Sequence, residues 1–220
     1  MKNSLRATLA LLASLAVWAA PAHAQNKAGD AAAGAKKNAM CVGCHGIEGY
    51  QASFPEIYKV PKIGGQNAAY LAASLNAYKK GERKHPSMRG VAESLSEQDI
   101  ADLSAYYAQQ VDAQAAVPEA PAKAADQAIA AKVQVCATCH GANFNKPIDA
   151  SYPKLSGQYA DYLYVALKAY QTDKNPLVGR ANAIMASQAK PLSQAELKAI
   201  ADYISTLPSD MRTVPQSRFK

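Results

Sequence analysis

The sequence predicts an all-α protein built from two tandem copies of one small domain. Three observations support this prediction. The motif Cys-x-x-Cys-His occurs twice, at 41–45 and 136–140, a longer segment repeats downstream of each motif, and helical patterns with capping residues recur in the same order. No stretch alternates apolar and polar residues for long enough to predict a strand.

The first 24 residues have the features of a cleaved secretory signal. They combine a basic start, an apolar run from Leu9 to Ala20 and the small-residue end Ala22-His23-Ala24. The run is too short to cross a bilayer comfortably, and Pro21 follows it at once. We therefore expect residues 1–24 to be removed and the mature chain to be periplasmic. No later segment is apolar enough to span a membrane, and peripheral association stays open.

The charge balance gives little support for a nucleic-acid-binding protein. The formal charge of the whole chain is +7. Residues 25–115 carry 10 basic and 9 acidic side chains, and residues 116–220 carry 12 and 8. The lysines are spaced among Ala, Asp and Tyr and do not form a basic stripe, so a solvated surface is the better interpretation and no nucleic-acid partner is expected.

An internal repeat sets the domain limits. The segment 61–78 aligns with 153–170 at an offset of 92, and 10 of the 18 positions are identical. The stretch between the copies is rich in Ala and Pro and lacks an apolar period, which is typical of a semi-rigid linker. The sequence therefore predicts domains at 25–115 and 127–220 joined by a linker at 116–126.

Each copy is predicted to contain three main helices in the same order. Asp30 is a candidate cap for a helix that runs through the first motif, and Leu71, Leu75 and Tyr78 share one face of a second helix. The third helix starts in each copy with a capping box, Ser96 with Asp99 and Ser193 with Glu196. Pro208 is predicted to stop the last helix.

The repeated Cys-x-x-Cys-His motif predicts covalent haem attachment. In a helical turn Cys41 and Cys44 project from one side, with His45 beside them. In an exported chain this spacing is typical of two thioether bonds to a haem and one axial nitrogen to its iron. The same chemistry assigns Cys136, Cys139 and His140 to a second haem.

Three other interpretations compete with haem attachment. A zinc site needs four ligands with pairs about 12–20 residues apart, whereas each copy offers three candidates. A thioredoxin-like motif follows a strand in a βαβ unit, which the pattern does not predict. A plain disulfide across each Cys-x-x-Cys leaves the repeated histidine unexplained.

On the basis of these motifs, each half resembles a class I cytochrome c domain, and the tandem pair resembles the di-haem cytochrome c4 family. The resemblance rests on the haem motif, the Pro-Lys-x-x-Gly-Gln segment and the C-terminal helix of each copy. It implies a second axial ligand from a loop before the last helix, which places Met88 and Met185 on the two irons. His85 is the rival to Met88, and we interpret it as a solvated loop residue.

The resemblance also implies further contacts to the haems. It suggests that the carbonyls of Pro61 and Pro153 accept a hydrogen bond from the axial histidines, although both prolines are equally consistent with simple turns. Four tyrosines are candidates for haem walls or propionate contacts, with plain core packing as the alternative. They are Tyr70, Tyr78, Tyr162 and Tyr170.

The implied function is electron transfer without bond chemistry. A soluble carrier of this kind takes electrons from a quinol-oxidising complex or a dehydrogenase and delivers them to a terminal oxidase or reductase. One alternative is a di-haem peroxidase, which needs one iron with an open position. Another is an electron-transfer subunit of a periplasmic oxidoreductase.

Overall fold

The computed structural model describes residues 28–118 and 127–215. The predicted signal at 1–24 and most of the predicted linker lie outside the described residues. Within them, the chain forms nine helices and four strands of two residues each. The all-α prediction is confirmed, with the short strands as an addition.

The first domain contains five helices and three strands, which follow one another along the chain. They are α1 (Ala31–Lys37), α2 (Ala39–His45), β1 (Gln51–Ala52), β2 (Tyr58–Lys59), α3 (Ala68–Lys80), β3 (Arg83–Lys84), α4 (Pro86–Glu93) and α5 (Glu97–Ala108). The second domain repeats this order in shorter form. Its elements are α6 (Gln127–His140), α7 (Ala160–Gln171), β4 (Gly179–Arg180), α8 (Ala183–Ala189) and α9 (Gln194–Ser205).

The helix that carries the first haem motif is capped as predicted but is broken in two. The side chain of Asp30 accepts hydrogen bonds from the backbone N–H groups of Ala32 and Ala33, at 2.8 and 3.3 Å. The first helix then ends at Lys37, and α2 starts after the buried Asn38. The equivalent stretch of the second domain is the single helix α6.

Both predicted capping boxes are present. The carboxylate of Asp99 accepts from the backbone N–H of Ser96 at 3.0 Å, and that of Glu196 accepts from Ser193 at 2.8 Å. Each serine hydroxyl oxygen in turn accepts a hydrogen bond from the backbone N–H of its acidic partner. The boxes fix the starts of α5 and α9, whose apolar faces supply the two cores.

Each domain has its own hydrophobic core. The first is formed by Leu95, Ile100, Leu103, Tyr107 and Val214. The second is formed by Val133, Phe144, Leu163, Ile200, Ala201, Ile204 and Leu207. Val214 comes from the far end of the chain, so the first core is completed by the second half of the sequence.

The residues 210–214, which we name the C-terminal strap, bind the second domain to the first. Gly64 and Arg212 exchange two backbone hydrogen bonds, at 3.2 and 3.0 Å, in an isolated antiparallel bridge. Gly64 is required here because a Cβ at this position would lie 2.4 Å from Val214. The strap therefore carries Val214 into the first core.

Further contacts join the domains along a seam that runs beside the haem motifs. Strands β3 and β4 pair antiparallel across it, with Arg83 opposite Arg180. Two ion pairs flank the seam, Lys59 with Asp161 at 3.2 Å and Lys168 with Glu56 at 2.6 Å. None of the helices in residues 28–118 and 127–215 is long and apolar enough to cross a membrane.

Candidate functional site

The histidines of the two motifs occupy the last positions of α2 and α6. The Nδ1 atom of His45 lies 2.8 Å from the carbonyl oxygen of Pro61, and that of His140 lies 3.0 Å from the carbonyl oxygen of Pro153. Because a carbonyl oxygen only accepts, each ring carries its proton on Nδ1 and presents the lone pair of Nε2. The sequence left the role of these prolines open, and the structure confirms the hydrogen bonds.

Burial keeps both imidazole rings neutral. It lowers the pKa of His45 and of His140 below the ordinary value, and the hydrogen bonds to the proline carbonyls offset this only in part. The neutral ring is the form that binds a metal. Both histidines are thus held in the tautomer and charge state that an axial ligand needs.

The four cysteines lie in the two helices that end at the motif histidines, α2 and α6. Cys41 packs against the first core and Cys136 against the second, and burial raises the pKa of both thiols. Cys44 is exposed and Cys139 is half-buried, and none of the four forms a disulfide. No three His, Cys, Asp or Glu side chains in the described parts of the chain are grouped to hold a metal ion.

The two predicted methionines lie on short helices, so the expectation of a ligand loop is wrong in this detail. Met88 is the third residue of α4, and Met185 is the third residue of α8. Each helix has a side-chain cap that holds the backbone N–H of its methionine, His85 Nδ1 at 3.4 Å and Asn182 Oδ1 at 2.9 Å. The caps fix where the methionines leave the backbone.

The interpretation of His85 as a solvated loop residue is also wrong. His85 is half-buried as the cap of α4, and its Nε2 atom is buried. Burial lowers the pKa of this ring below its ordinary value. Sequence reasoning missed the cap because a histidine is not one of the usual capping residues.

One cavity of about 700 Å³ spans both domains and brings all the predicted site residues together. Its lining includes the members of both sets: Cys41, Cys44, His45, Met88, Cys136, Cys139, His140 and Met185. Apolar side chains such as Leu71, Leu75 and Leu163 form much of the remaining wall. A large, flat and mostly apolar group with a metal centre suits such a space.

Comparisons with known proteins agree with this geometry. The cytochrome c family model matches the chain twice, at residues 31–110 and 124–208. Cytochrome c4 of Azotobacter vinelandii is 34% identical over 216 residues, which cover 92% of this chain and 99% of that protein. The chain belongs to the cytochrome c4 family of di-haem cytochromes.

Two further relatives of this cytochrome bear on its structure and function. The crystal structure of reduced cytochrome c4 from Pseudomonas stutzeri superposes with a TM-score of 0.62 at 30% identity, and covers 82% of this chain and 100% of that one. A protein of Stutzerimonas stutzeri named as a thiosulfate dehydrogenase electron acceptor is 29% identical over 185 residues, which are 79% of this chain and 82% of that protein. The two cytochrome c domains, each with its own Cys-x-x-Cys-His motif, and the cytochrome c4 relatives give this cytochrome two covalently bound haem c groups.

The polar residues at the centre of the cavity fit the carboxylates of a haem. Arg83 and Arg180 meet there, and both donate to the hydroxyl of Tyr162, at 2.7 and 3.2 Å. Neither guanidinium forms an ion pair with a carboxylate of the described residues, and Arg83 Nε is buried without a hydrogen-bond partner. Both arginines are half-buried, and a cation that is partly removed from water without a counter-ion is costly, so they suit the acidic propionates of the haems.

Four tyrosines and two arginines line the cavity together, and we name this group the interface cluster. Its members are Tyr70, Tyr78, Arg83, Tyr162, Tyr170 and Arg180. Burial alone would raise the pKa of Tyr162, but the charges of Arg83 and Arg180 outweigh it and lower the pKa to about 8. The four tyrosines were candidates for haem walls or propionate contacts, with core packing as the alternative, and all four line the cavity.

The two arginines were missed by the sequence analysis, although a signal was present. Arg83 and Arg180 are 97 residues apart, which is the offset that aligns Met88 with Met185. Each arginine lies five residues before its methionine, so extending the methionine alignment by five positions towards the N-terminus would have paired the two arginines. Their convergence depends on the pairing of β3 with β4, and two-residue strands leave no detectable pattern in a sequence.

Proposed function

We propose that this cytochrome is a periplasmic electron carrier. It takes single electrons from a quinol-oxidising complex or a dehydrogenase and passes them to a terminal oxidase or reductase. The observation that carries this proposal is the donor set of the shared cavity, which offers one neutral histidine and one methionine in each domain. With one histidine and one methionine as its ligands, each bound haem iron would have no coordination position left for oxygen or peroxide.

The proposal assigns a role to each residue of the two motifs. The thioether bonds are formed by Cys41, Cys44, Cys136 and Cys139. The axial ligands are His45 with Met88 in the first domain and His140 with Met185 in the second. The signal at 1–24 directs export, and the domains extend over 25–115 and 127–220.

The residues of the chain hold and tune the cofactor. Bound haem c supplies a reversible one-electron iron couple. The thioether sulfur of each methionine donates weakly to ferric iron, so it favours the reduced state and raises the potential. The apolar wall excludes water, and the proline carbonyls orient the axial histidines.

Spectroscopy of the purified holoprotein tests these ligand assignments. Low-spin ferric spectra with the methionine-to-iron charge-transfer band are expected from both haems. Met88→Ala is expected to remove this band from one haem, and Met185→Ala from the other. A high-spin haem in the native protein, with rapid turnover of peroxide, would favour a di-haem peroxidase instead.

The partner assignment has its own test. The second domain has the larger excess of basic residues, so we expect it to meet an acidic partner. The rate of electron transfer from this domain should then fall as the salt concentration rises. A rate that does not depend on ionic strength would contradict the electrostatic part of the proposal.

A second candidate is supported by the thiosulfate dehydrogenase electron acceptor of Stutzerimonas stutzeri, which aligns with most of this chain. In this case the cytochrome is the electron acceptor or a subunit of one periplasmic dehydrogenase. Gentle extraction followed by size-exclusion chromatography separates the two candidates. A free carrier elutes as a single small red protein, whereas a subunit elutes together with a dehydrogenase activity.

A further inference from the structure

Two glutamines at equivalent positions of the repeat cross the domain seam and bind the backbone of the opposite domain. Gln158 accepts from the backbone N–H of Lys62 at 3.0 Å and donates to the carbonyl of the same residue at 2.9 Å. Gln66 makes the mirror pair with Lys154, at 2.9 Å for both bonds. Both glutamines are only 4% exposed.

The peptide groups that these glutamines bind also hold the axial histidines. The carbonyl of Pro61 and the N–H of Lys62 belong to one peptide group. Its oxygen accepts from the ring of His45 in its own domain, and its N–H donates to Gln158 of the other domain. The peptide group between Pro153 and Lys154 likewise joins His140 to Gln66.

The Pro-Lys-x-x-Gly-Gln segment explains how both glutamines reach across the seam. Gly65 and Gly157, which precede them, have φ angles of +77° and +63°, a region that favours glycine. A Cβ at Gly65 would lie 2.9 Å from the carbonyl oxygen of Asp210, and one at Gly157 would lie 2.6 Å from Ser209. The tight turn thus places a buried amide against the opposite backbone in both copies.

Hydrogen bonds in a chain polarise one another. A peptide N–H that donates to an acceptor makes the carbonyl oxygen of the same group a better acceptor, by about 10–30% per bond. A stronger bond from the Nδ1–H of an axial histidine makes the ring a more basic ligand. A more basic ligand stabilises ferric iron and lowers the reduction potential of that haem.

We propose that Gln66 and Gln158 are positioning residues through which each domain sets the reduction potential of the haem in the other. Gln158 acts through the Pro61–Lys62 peptide on His45, and Gln66 acts through the Pro153–Lys154 peptide on His140. The inference rests on the proposed ligation of iron by these two histidines. It makes docking of the domains part of the redox tuning of each site.

Gln158→Leu and Gln66→Leu test the proposal in the holoprotein. A redox titration followed by proton NMR reports the two haems separately through the methyl groups of Met88 and Met185. We expect Gln158→Leu to raise the potential of the first haem and Gln66→Leu to raise that of the second. The expected change is about threefold in the equilibrium constant for reduction, which is about 28 mV at 59 mV per tenfold.

Asn67→Leu is the matched control. Its side chain donates across the same seam, to the carbonyl of Tyr152 at 3.0 Å, but does not touch either peptide group that holds an axial histidine. We expect this variant to leave the difference between the two potentials unchanged. Equal shifts of both haems in all three variants would overturn the proposal, because a general loosening of the seam explains them.

Gln158→Glu distinguishes polarisation from packing. The carboxylate is a charged and stronger acceptor for the N–H of Lys62 than the amide is, so the potential of the first haem should fall, opposite to the effect of Gln158→Leu. It should fall by more than the potential of the second haem, which the new charge reaches only through space. Shifts of the same sign in both variants, or a shift only in the domain that carries the substitution, would refute the inference. The low-spin spectrum of each variant checks ligation independently. If the native protein lacks the low-spin spectrum, the proposed function is contradicted. If the spectrum is present but no substitution shifts the potential of the haem in the opposite domain, only the role of the glutamines is contradicted.

Discussion

Gly34→Ala is expected to destabilise the first domain, although alanine is the better helix former. Gly34 lies in α1, where this helix crosses α5. A Cβ at this position would lie 2.2 Å from the backbone oxygen of Asp102 and 2.7 Å from the Cβ of Tyr106. The first obstacle is the backbone of a helix, which cannot rotate away as a flexible side chain does. The two helices must therefore separate.

Two opposing effects set the size of the change. Replacing glycine by alanine inside a helix favours folding by about 1 kcal/mol. Overpacking of a close contact costs about 1–3 kcal/mol, and a contact as short as this one belongs at the upper end. The net result is a loss of about 2 kcal/mol, or about 10 °C in the melting temperature of a domain of this size.

Gly90→Ala is the matched control, because Gly90 lies inside α4 and a Cβ there would meet nothing within 4 Å. Thermal unfolding of the holoproteins, followed by circular dichroism at one protein concentration, measures both variants against the native protein. The melting temperature should fall for Gly34→Ala and rise slightly for Gly90→Ala. An unchanged or raised value for Gly34→Ala would refute the close approach of α1 and α5.

Three further predictions concern charge and packing. The hydrogen bond with Lys37 is the main cause that lowers the pKa of Asp102 from 3.8 to about 2. The contribution of this carboxylate to stability is therefore present above pH 3.8 and is lost as the pH falls towards 2. The free energy of acid unfolding of Asp102→Asn should depend less steeply on pH across this range. Arg180→Met removes a half-buried cation at the seam and should lower both reduction potentials by tens of millivolts at an effective dielectric constant of about 20, whereas Arg89→Met on the exposed face of α4 should change them much less in a redox titration. Val214→Ala should destabilise the first domain by about 2 kcal/mol in denaturant unfolding, because this side chain belongs to its core; a loss confined to the second domain would contradict the role of the C-terminal strap.

Much of the fold follows from local signals in the sequence. The capping boxes at Ser96 and Ser193 mark the starts of α5 and α9, since a serine and an acidic residue three positions apart satisfy two backbone N–H groups within one turn. The motif histidines and their proline partners were also accessible, because each proline opens the repeated Pro-Lys-x-x-Gly-Gln segment, 16 residues after His45 and 13 residues after His140. These features depend on residues close together in the chain.

The features that the sequence analysis did not predict depend on contacts between residues that are distant in the chain. The docking of the two domains determines the position of Val214 in the first core and of the arginine pair at the seam. No local sequence pattern predicts that docking. The two domains also differ in how closely the first helix packs against the last one. Gly34 lets α1 approach α5 closely, whereas the equivalent Ile129 packs its side chain against the second core. The repeat therefore describes the two sites better than it describes the two helix crossings.

The most direct test of the account is a redox titration of the purified holoprotein, followed by absorbance and magnetic circular dichroism. The account predicts two one-electron steps from two low-spin haems, both with the methionine-to-iron charge-transfer band in the ferric state. A high-spin haem, a haem with two histidine ligands, or a single haem per chain would contradict the claim that each domain closes both faces of its iron with one histidine and one methionine.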